Sequence, residues 1–186
     1  MKKQLNKDDL QAYFKAQKFY FLAEQCLNLV KKSLSPLLKK YGLNHSQYLI
    51  LMIMNYADLS GNRVISTELS YLLGLEKHSI STLVDNLFKK ALLERSRSKT
   101  DRREVFLRLT PKGKKLIEKV QPQTMEMVSI FPECKDDEYN RFNSFLFSLR
   151  EMVAQTNSHN LEAYKNAYEK LLLKGEEEYL KRYLKD

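Results

Sequence analysis

Glycine and proline are scarce in this chain, five and four among 186 residues. Few places are left for tight turns, and long helices follow from that. No run of about 18 apolar residues occurs, so no membrane-spanning helix is expected. The opening stretch MKKQLNKDDLQ is polar with no apolar segment behind it, so no secretory leader is expected. Cysteine is limited to Cys26 and Cys134, too far apart in sequence for a disulfide framework, and a reducing cytoplasm is the simplest home. His45, His78 and His159 have no short paired spacing with each other or with the cysteines, so neither a metal nor a cofactor is expected. Also missing are a Gly-rich phosphate loop, a paired-histidine site and a Ser-x-Gly nucleophile elbow, which argues against an enzyme.

What is present is a globular chain rich in charge. Hydrophobic residues make up 43% and charged residues 30%, a balance that can bury a core. The net charge is +9, and it is unevenly placed. Residues 1–44 carry a net +6 and residues 75–119 a net +7, while 120–156 are net −3 and 157–186 are neutral. Two basic blocks suit a polyanion; the plainer reading is a solvated face.

The periodicity predicts a mainly helical chain with one small hairpin. Asp8 to Tyr41 reads as a long helix with Leu10, Tyr13, Phe14, Phe21, Leu27, Val30, Leu34, Leu37 and Tyr41 at helical spacing. Pro36 kinks or divides it and Gly42 ends it. Ser46 to Ala57, apolar nearly all round, reads as a buried helix capped by Asn44 or Ser46. Ser66 caps a short helix that ends at Gly74. Lys77 to Ala91 follows, with Ile80, Leu83, Val84 and Leu87 facing inward. That leaves His78, Ser79, Ser81, Thr82, Asp85, Asn86 and Lys89 facing out. Leu92–Arg97 and Glu104–Leu109 read as strands joined by the charged loop SKTDRR. Thr110 before Pro111 is a helix start, and that helix runs past Pro122, where a kink is expected. Lys135 to Gln155 presents Tyr139, Phe142, Phe145, Leu146, Leu149 and Val153 on one face. The last thirty residues read as two short helices around Gly175, packing on a partner subunit or clasping the lobe of residues 45–113.

This order (helix, short helix, helix, strand, charged loop, strand) is the layout of a winged helix-turn-helix. Residues Leu69 to Gly113 resemble the MarR family of transcription regulators. The resemblance lies in Leu72-Leu73-Gly74, in Leu83-Val84-Asp85 with Leu87, and in Leu92 with Glu94-Arg95. It continues through Asp101-Arg102-Arg103 to Leu109-Thr110-Pro111-Lys112-Gly113. The last two together are its specific part. One departure is Ala91, where the family usually has Gly at a left-handed turn; another is the C-terminal addition.

The resemblance implies a homodimer that binds double-stranded DNA at an inverted repeat and responds to a small-molecule effector or an oxidant. It divides the chain into a winged helix-turn-helix lobe (45–113), dimerisation helices (8–41 and 114–157) and a helical extension (158–186). Arg102 and Arg103 become wing residues for the minor groove, with Asp101 bracing one of them. Lys77, His78, Ser79, Ser81, Thr82, Asn86 and Lys89 become contacts to bases or phosphates. Arg63, Arg95, Arg97 and Lys99 become phosphate neighbours. Cys26, with Tyr20 nearby, is a candidate redox or effector position, although a free cysteine is more commonly a small buried apolar residue. Tyr13, Phe14, Phe19, Tyr20 and Phe21 suggest an aromatic-ligand pocket, or simply core and dimer packing. The competing function is a winged-helix protein-interaction module without DNA.

Overall fold

The structure, a computed structural model, describes residues 6–97, 105–126, 135–156 and 160–183. Among these the elements run α1 (Lys7–Lys40), α2 (His45–Leu59), α3 (Ser66–Leu73), α4 (Lys77–Lys89), β1 (Leu93–Arg97) and β2 (Val105–Leu109). They continue with α5 (Pro111–Glu126), α6 (Asp136–Thr156), α7 (Leu161–Tyr168), a π-helical turn (Glu169–Leu173) and α8 (Lys174–Tyr183). The chain forms two compact units, Met1–His45 and Ser46–Asp186.

The first unit is essentially α1. Asn6 caps it by accepting from the Asp9 backbone N–H at 2.8 Å, and Asp9 accepts in return from the Asn6 N–H at 3.3 Å. This reciprocal box satisfies two of the orphan donors of the first turn. Asp8 and Asp9 at this end, and Lys39 and Lys40 at the other, complement the helix dipole. Pro36 does not divide the helix, which runs without a break across it. Gly42 ends it with φ +68°. Most of the expected apolar stripe is not buried within the chain: Leu10, Tyr13, Phe14, Phe21 and Leu27 are all exposed, joined by Tyr20, Leu22 and Leu29. Leu38 and Leu43, near the end of the unit, are buried.

The second unit is built around α2. Ile50, Leu51, Ile53, Met54 and Ala57 are buried, as a helix apolar nearly all round requires. Its start at His45 makes Asn44, not Ser46, the flanking residue. A polar seam joins α2 to α5. Tyr48 Oη and Thr124 Oγ1 lie 2.7 Å apart, and Asn55 Nδ2 donates to Gln121 Oε1 at 3.2 Å. Gln121 Nε2 also donates to Tyr56 Oη at 3.3 Å. Burial pushes the Tyr56 phenol up to about 12, with Tyr48, Tyr179 and Glu176 adding to the effect, so it remains a neutral hydroxyl. Pro122, like Pro36, is carried inside an unbroken helix.

Two local expectations change. Ser66 is the first residue of α3 and not its cap; Ile65 flanks the helix in extended conformation, and Glu68 Oε2 accepts from the Ile65 N–H at 2.9 Å. This first-turn carboxylate satisfies the N–H of the flanking residue, the half of a capping box that needs no hydroxyl. Gly175 does not break the C-terminal segment. α7, the π-helical turn and α8 form one continuous helical run, and Gly175 lies buried within it.

That run packs on α2 and α3. Leu171, Ala167 and Tyr179 are buried. Asn62 Nδ2 donates to the Lys170 carbonyl at 2.8 Å, and Lys170 Nζ pairs with Glu68 Oε1 at 2.6 Å. The Tyr71 and Tyr164 rings sit 4.9 Å apart, and Tyr56 meets Tyr179 edge-on at 5.7 Å. Of the two placements open for the extension, it occupies the lobe that precedes it.

β1 and β2 pair antiparallel, with Leu93 opposite Leu109 and Arg97 opposite Val105. A third segment joins the pair. Val64 bridges Leu107, whose N–H donates to the Val64 carbonyl at 2.8 Å. Ala91 has φ +55°. The left-handed turn is therefore kept where the family pattern has Gly, at the cost of Cβ crowding. Ala91→Gly is expected to raise stability by about 1 kcal/mol. The check is urea denaturation, where the midpoint should rise at unchanged slope; an unaltered midpoint would mean the turn is not strained.

Candidate nucleic-acid interface

The interface begins with how α4 is held. Its inner side, Ile80, Val84 and Leu87, is fully buried. Helical geometry then fixes what the opposite side shows. Lys77, His78, Ser81, Thr82, Asp85 and Lys89 are exposed, and Ser79 and Asn86 are half-buried. The expected outward set is therefore brought together on one face. Ser81 Oγ donates to the Lys77 carbonyl at 3.0 Å and Thr82 Oγ1 to the His78 carbonyl at 3.1 Å. With their protons so engaged, both hydroxyls offer lone pairs outward, which suits the amino group of cytosine or adenine. Ser79 Oγ lies 3.4 Å from His78 Nε2.

The hairpin is tied to α4 by an ion pair that spacing along the chain did not reveal. Arg95 Nη2 donates to Asp85 Oδ1 at 2.8 Å, and the guanidinium lies 4.7 Å from the Phe88 ring centroid. Both partners are more than half exposed, so the pair adds little to stability. Its geometric effect is to hold the first wing strand beside the recognition helix and to neutralise the one acid on that face. Arg63 stacks over Phe106 of β2 at 5.0 Å.

The motif Leu109-Thr110-Pro111-Lys112-Gly113 acts as a clamp behind this surface. Thr110 Oγ1 donates to the Ala91 carbonyl at 2.8 Å and accepts from the Gly113 N–H at 3.0 Å, capping α5 while gripping the turn after α4. Thr110 N–H donates to the Leu92 carbonyl at 3.1 Å. Lys112 Nζ donates to the Lys90 carbonyl at 2.8 Å, a cation placed on the C-terminal end of the recognition helix. A Cβ at Gly113 would collide with the Leu92 carbonyl, so only glycine lets α5 approach this closely. Lys90, for its part, reaches Gln47 Oε1 of α2 at 2.9 Å. These long-range partners carry no signal in local spacing; only the motif as a block points to them.

Arg97 is placed by its backbone opposite Val105. Lys99, Asp101, Arg102 and Arg103, with Cys134 and His159, lie outside the described residues. Cys26 is a correction: the common fate of a free cysteine is burial, but here it is exposed on α1. Tyr20 is exposed as well. The cause is that this part of α1 has no apolar cover within its own unit. Among the described residues no cluster of metal-ligating side chains forms, and no helix is long and apolar enough to cross a membrane.

A buried-core helix pair with an outward polar face, followed by a clamped antiparallel hairpin, defines a winged helix-turn-helix. Comparison with known proteins carries this to a family. Residues 32–120 match the family described as transcriptional regulator SarA/Rot. The chain is similar to the HTH-type transcriptional regulator MgrA of Staphylococcus aureus, 30% identical over 58% of this chain and 70% of that protein. It is similar to YhbI of Bacillus subtilis, an HTH-type transcriptional regulator, 34% identical over 52% of this chain and 60% of that one. The match to MprA of Escherichia coli likewise spans 58% of that repressor, so the chain spans little more than half the length of these two relatives. In fold it resembles reduced AbfR bound to DNA, with TM-score 0.62 and 21% identity over 77% of this chain and 98% of that one. It resembles NMB1585, a MarR family regulator from Neisseria meningitidis, with TM-score 0.62 and 20% identity over 77% of this chain and 96% of that one. The chain belongs to the MarR family of winged helix-turn-helix transcription regulators.

Proposed function

We propose that this chain is a sequence-specific regulator of transcription that binds double-stranded DNA as a homodimer. The observation that carries the reading is the face of α4: hydroxyls, an amide and lysines turned outward together, on a helix clamped to a hairpin. A major groove about 12 Å wide admits such a helix, and this mixture of groups suits base edges and phosphates. Asn86 pairs with adenine, Ser81 and Thr82 accept from base amino groups, and Lys77 and Lys89 neutralise phosphate. Arg102 and Arg103 reach the minor groove from the wing tip, with Asp101 as brace, and Arg63, Arg95, Arg97 and Lys99 flank the backbone.

Dimerisation follows from uncovered apolar surface. Tyr13, Phe14, Phe21 and Leu27 on α1, and Tyr139, Phe142, Phe145 and Val153 on α6, are each 49–66% exposed. Patches of that size seek a partner, and a second copy supplies the same chemistry under two-fold symmetry. The helices flanking the 45–113 lobe are then the dimerisation elements, and the operator is an inverted repeat. A small-molecule effector, or oxidation at exposed Cys26, acts by binding or favouring one of two lobe arrangements. The protein works in the cytoplasm and carries no catalytic activity of its own.

Arg102→Ala and Arg103→Ala test the wing assignment. At least one is expected to weaken binding to the operator and to reduce the salt slope by roughly 1, without altering dimer stability. Fluorescence anisotropy across a salt series reads both quantities. Two single variants that bind like the parent would remove the wing from the interface.

A further inference from the structure

None of the described residues of α6 is buried. The face carrying Tyr139, Phe142, Phe145 and Val153 is open to a second copy. Phe147, Arg150 and Glu151 are half-buried on another side of the helix, and all three engage α7. Phe147 meets Tyr168 edge-on, with ring centroids 5.2 Å apart. The Arg150 guanidinium layers against both rings, 4.9 Å from the Phe147 centroid and 5.5 Å from that of Tyr168. Glu151 Oε1 pairs with Lys165 Nζ at 2.8 Å.

The following turns of the same run are seated on the lobe. Ala167, Leu171, Gly175 and Tyr179 are buried at a spacing of four. On a helix of about 3.6 residues per turn, such a row would drift by about 120° over its length. The π-helical turn Glu169–Leu173 adds one residue to a turn and takes back about 100°, so the row keeps one face to the lobe. Lys170 Nζ pairs with Glu68 of α3, the Lys170 carbonyl accepts from Asn62, and Tyr164 lies against Tyr71. One helical run therefore grips the dimer helix at its start and the helix-turn-helix along the rest.

We propose that residues 161–183 are a strap that fixes the helix-turn-helix to α6 and thereby sets how strictly the dimer reads half-site spacing. The second half of this rests on the regulator reading above. One base pair added between half-sites moves one of them by about 3.4 Å and turns it by about 35°. A lobe free to swing on its dimer helix follows that displacement. A strapped lobe keeps its own spacing and loses one half-site. Fixing the lobes before binding also removes part of the ordering cost, so the strap favours the correctly spaced operator and penalises the others.

Spin labels at Lys115→Cys and Ser144→Cys, with Cys26 and Cys134 replaced by serine, read the distance from lobe to α6. Dilution with unlabelled chain leaves one labelled chain per dimer. Without DNA, the strapped chain is expected to give one narrow distance distribution. Phe147→Ala with Lys165→Ala cuts the strap from α6 and leaves Leu171 and Tyr179 seated; the distribution is expected to broaden at least roughly twofold. Lys165→Glu, which sets like charge against Glu151, is expected to broaden it as well. A distribution already broad in the parent, or unchanged in both variants, overturns the strap. Anisotropy then uses the inverted repeat selected from a random pool, with one base pair inserted at its centre. The parent is expected to lose at least about 30-fold in affinity and the cut variant no more than about 5-fold. Equal losses overturn the role in spacing. A parent that prefers no duplex sinks the regulator reading instead, and the distance distribution, measured without DNA, still decides the strap.

Discussion

Gly113→Ala is expected to cost about 3–5 kcal/mol of folding stability and to abolish DNA binding with it. In an exposed helix the same change would stabilise by about 1 kcal/mol, because glycine is the poorer helix former. Here the added Cβ would sit on the Leu92 carbonyl, with the Leu92 carbonyl carbon at 3.0 Å and Leu109 Cδ2 at 3.2 Å. The obstacle is backbone on both sides, so no rotamer change relieves it. α5 must withdraw from β1, and the bonds that fasten them go too: Thr110 to Ala91 and to Leu92, and Lys112 to Lys90. These are the contacts that fix the hairpin relative to α4. Urea denaturation reads the stability loss and anisotropy the binding. A variant as stable as the parent would show that α5 and β1 can separate without consequence, and the clamp would have no role in placing the wing.

Gly175→Ala is expected to act less strongly and more locally. Its Cβ would collide with Tyr56 Cβ, with the Tyr56 Cα at 2.9 Å and carbonyl carbon at 3.0 Å. The helical run from α7 to α8 then lifts from α2, exposing Leu171 and Tyr179 and breaking the Asn62 bond to the Lys170 carbonyl. The loss is about 2–4 kcal/mol from lost burial and one part-buried hydrogen bond, less roughly 1 kcal/mol regained in helix propensity. Because this run packs against the outside of α2 and α3, its release without global unfolding is the expected form. Trypsin should cut at Lys165, Lys170 or Lys174 several-fold faster, while the 46–126 region keeps its melting transition. Unchanged cutting would mean that the extension is not seated through Gly175.

The winged helix was largely legible in the sequence, for a physical reason. Its signals are local: the outward set of α4 follows from Ile80, Val84 and Leu87 at helical spacing, and Thr110-Pro111 states its own role as a helix start. The turn at Ala91 was legible too, since the family pattern marks a left-handed position and the backbone keeps it at φ +55°. What escaped was contact between distant segments. Gly175 reads as a helix break because glycine usually punctuates, and nothing in the neighbouring residues announces Tyr56 against it. Asp85 reads as one more polar residue until Arg95 is seen beside it. Cys26 reads as buried because burial is the common fate of a free cysteine, but this part of α1 has no apolar cover within its own unit. Arg150 carried no signal at all; its interest arises only from the Phe147 and Tyr168 rings around it.

The central claim is sequence-specific binding of duplex DNA by a symmetric dimer. Selection of bound duplexes from a random pool at about 150 mM salt tests it most directly, since weak non-specific contacts are screened there. The account predicts enrichment of one inverted repeat with half-site centres about one helical turn apart, roughly 10–10.5 base pairs. A bound pool indistinguishable from the starting one, from protein free of added ligand, would contradict it.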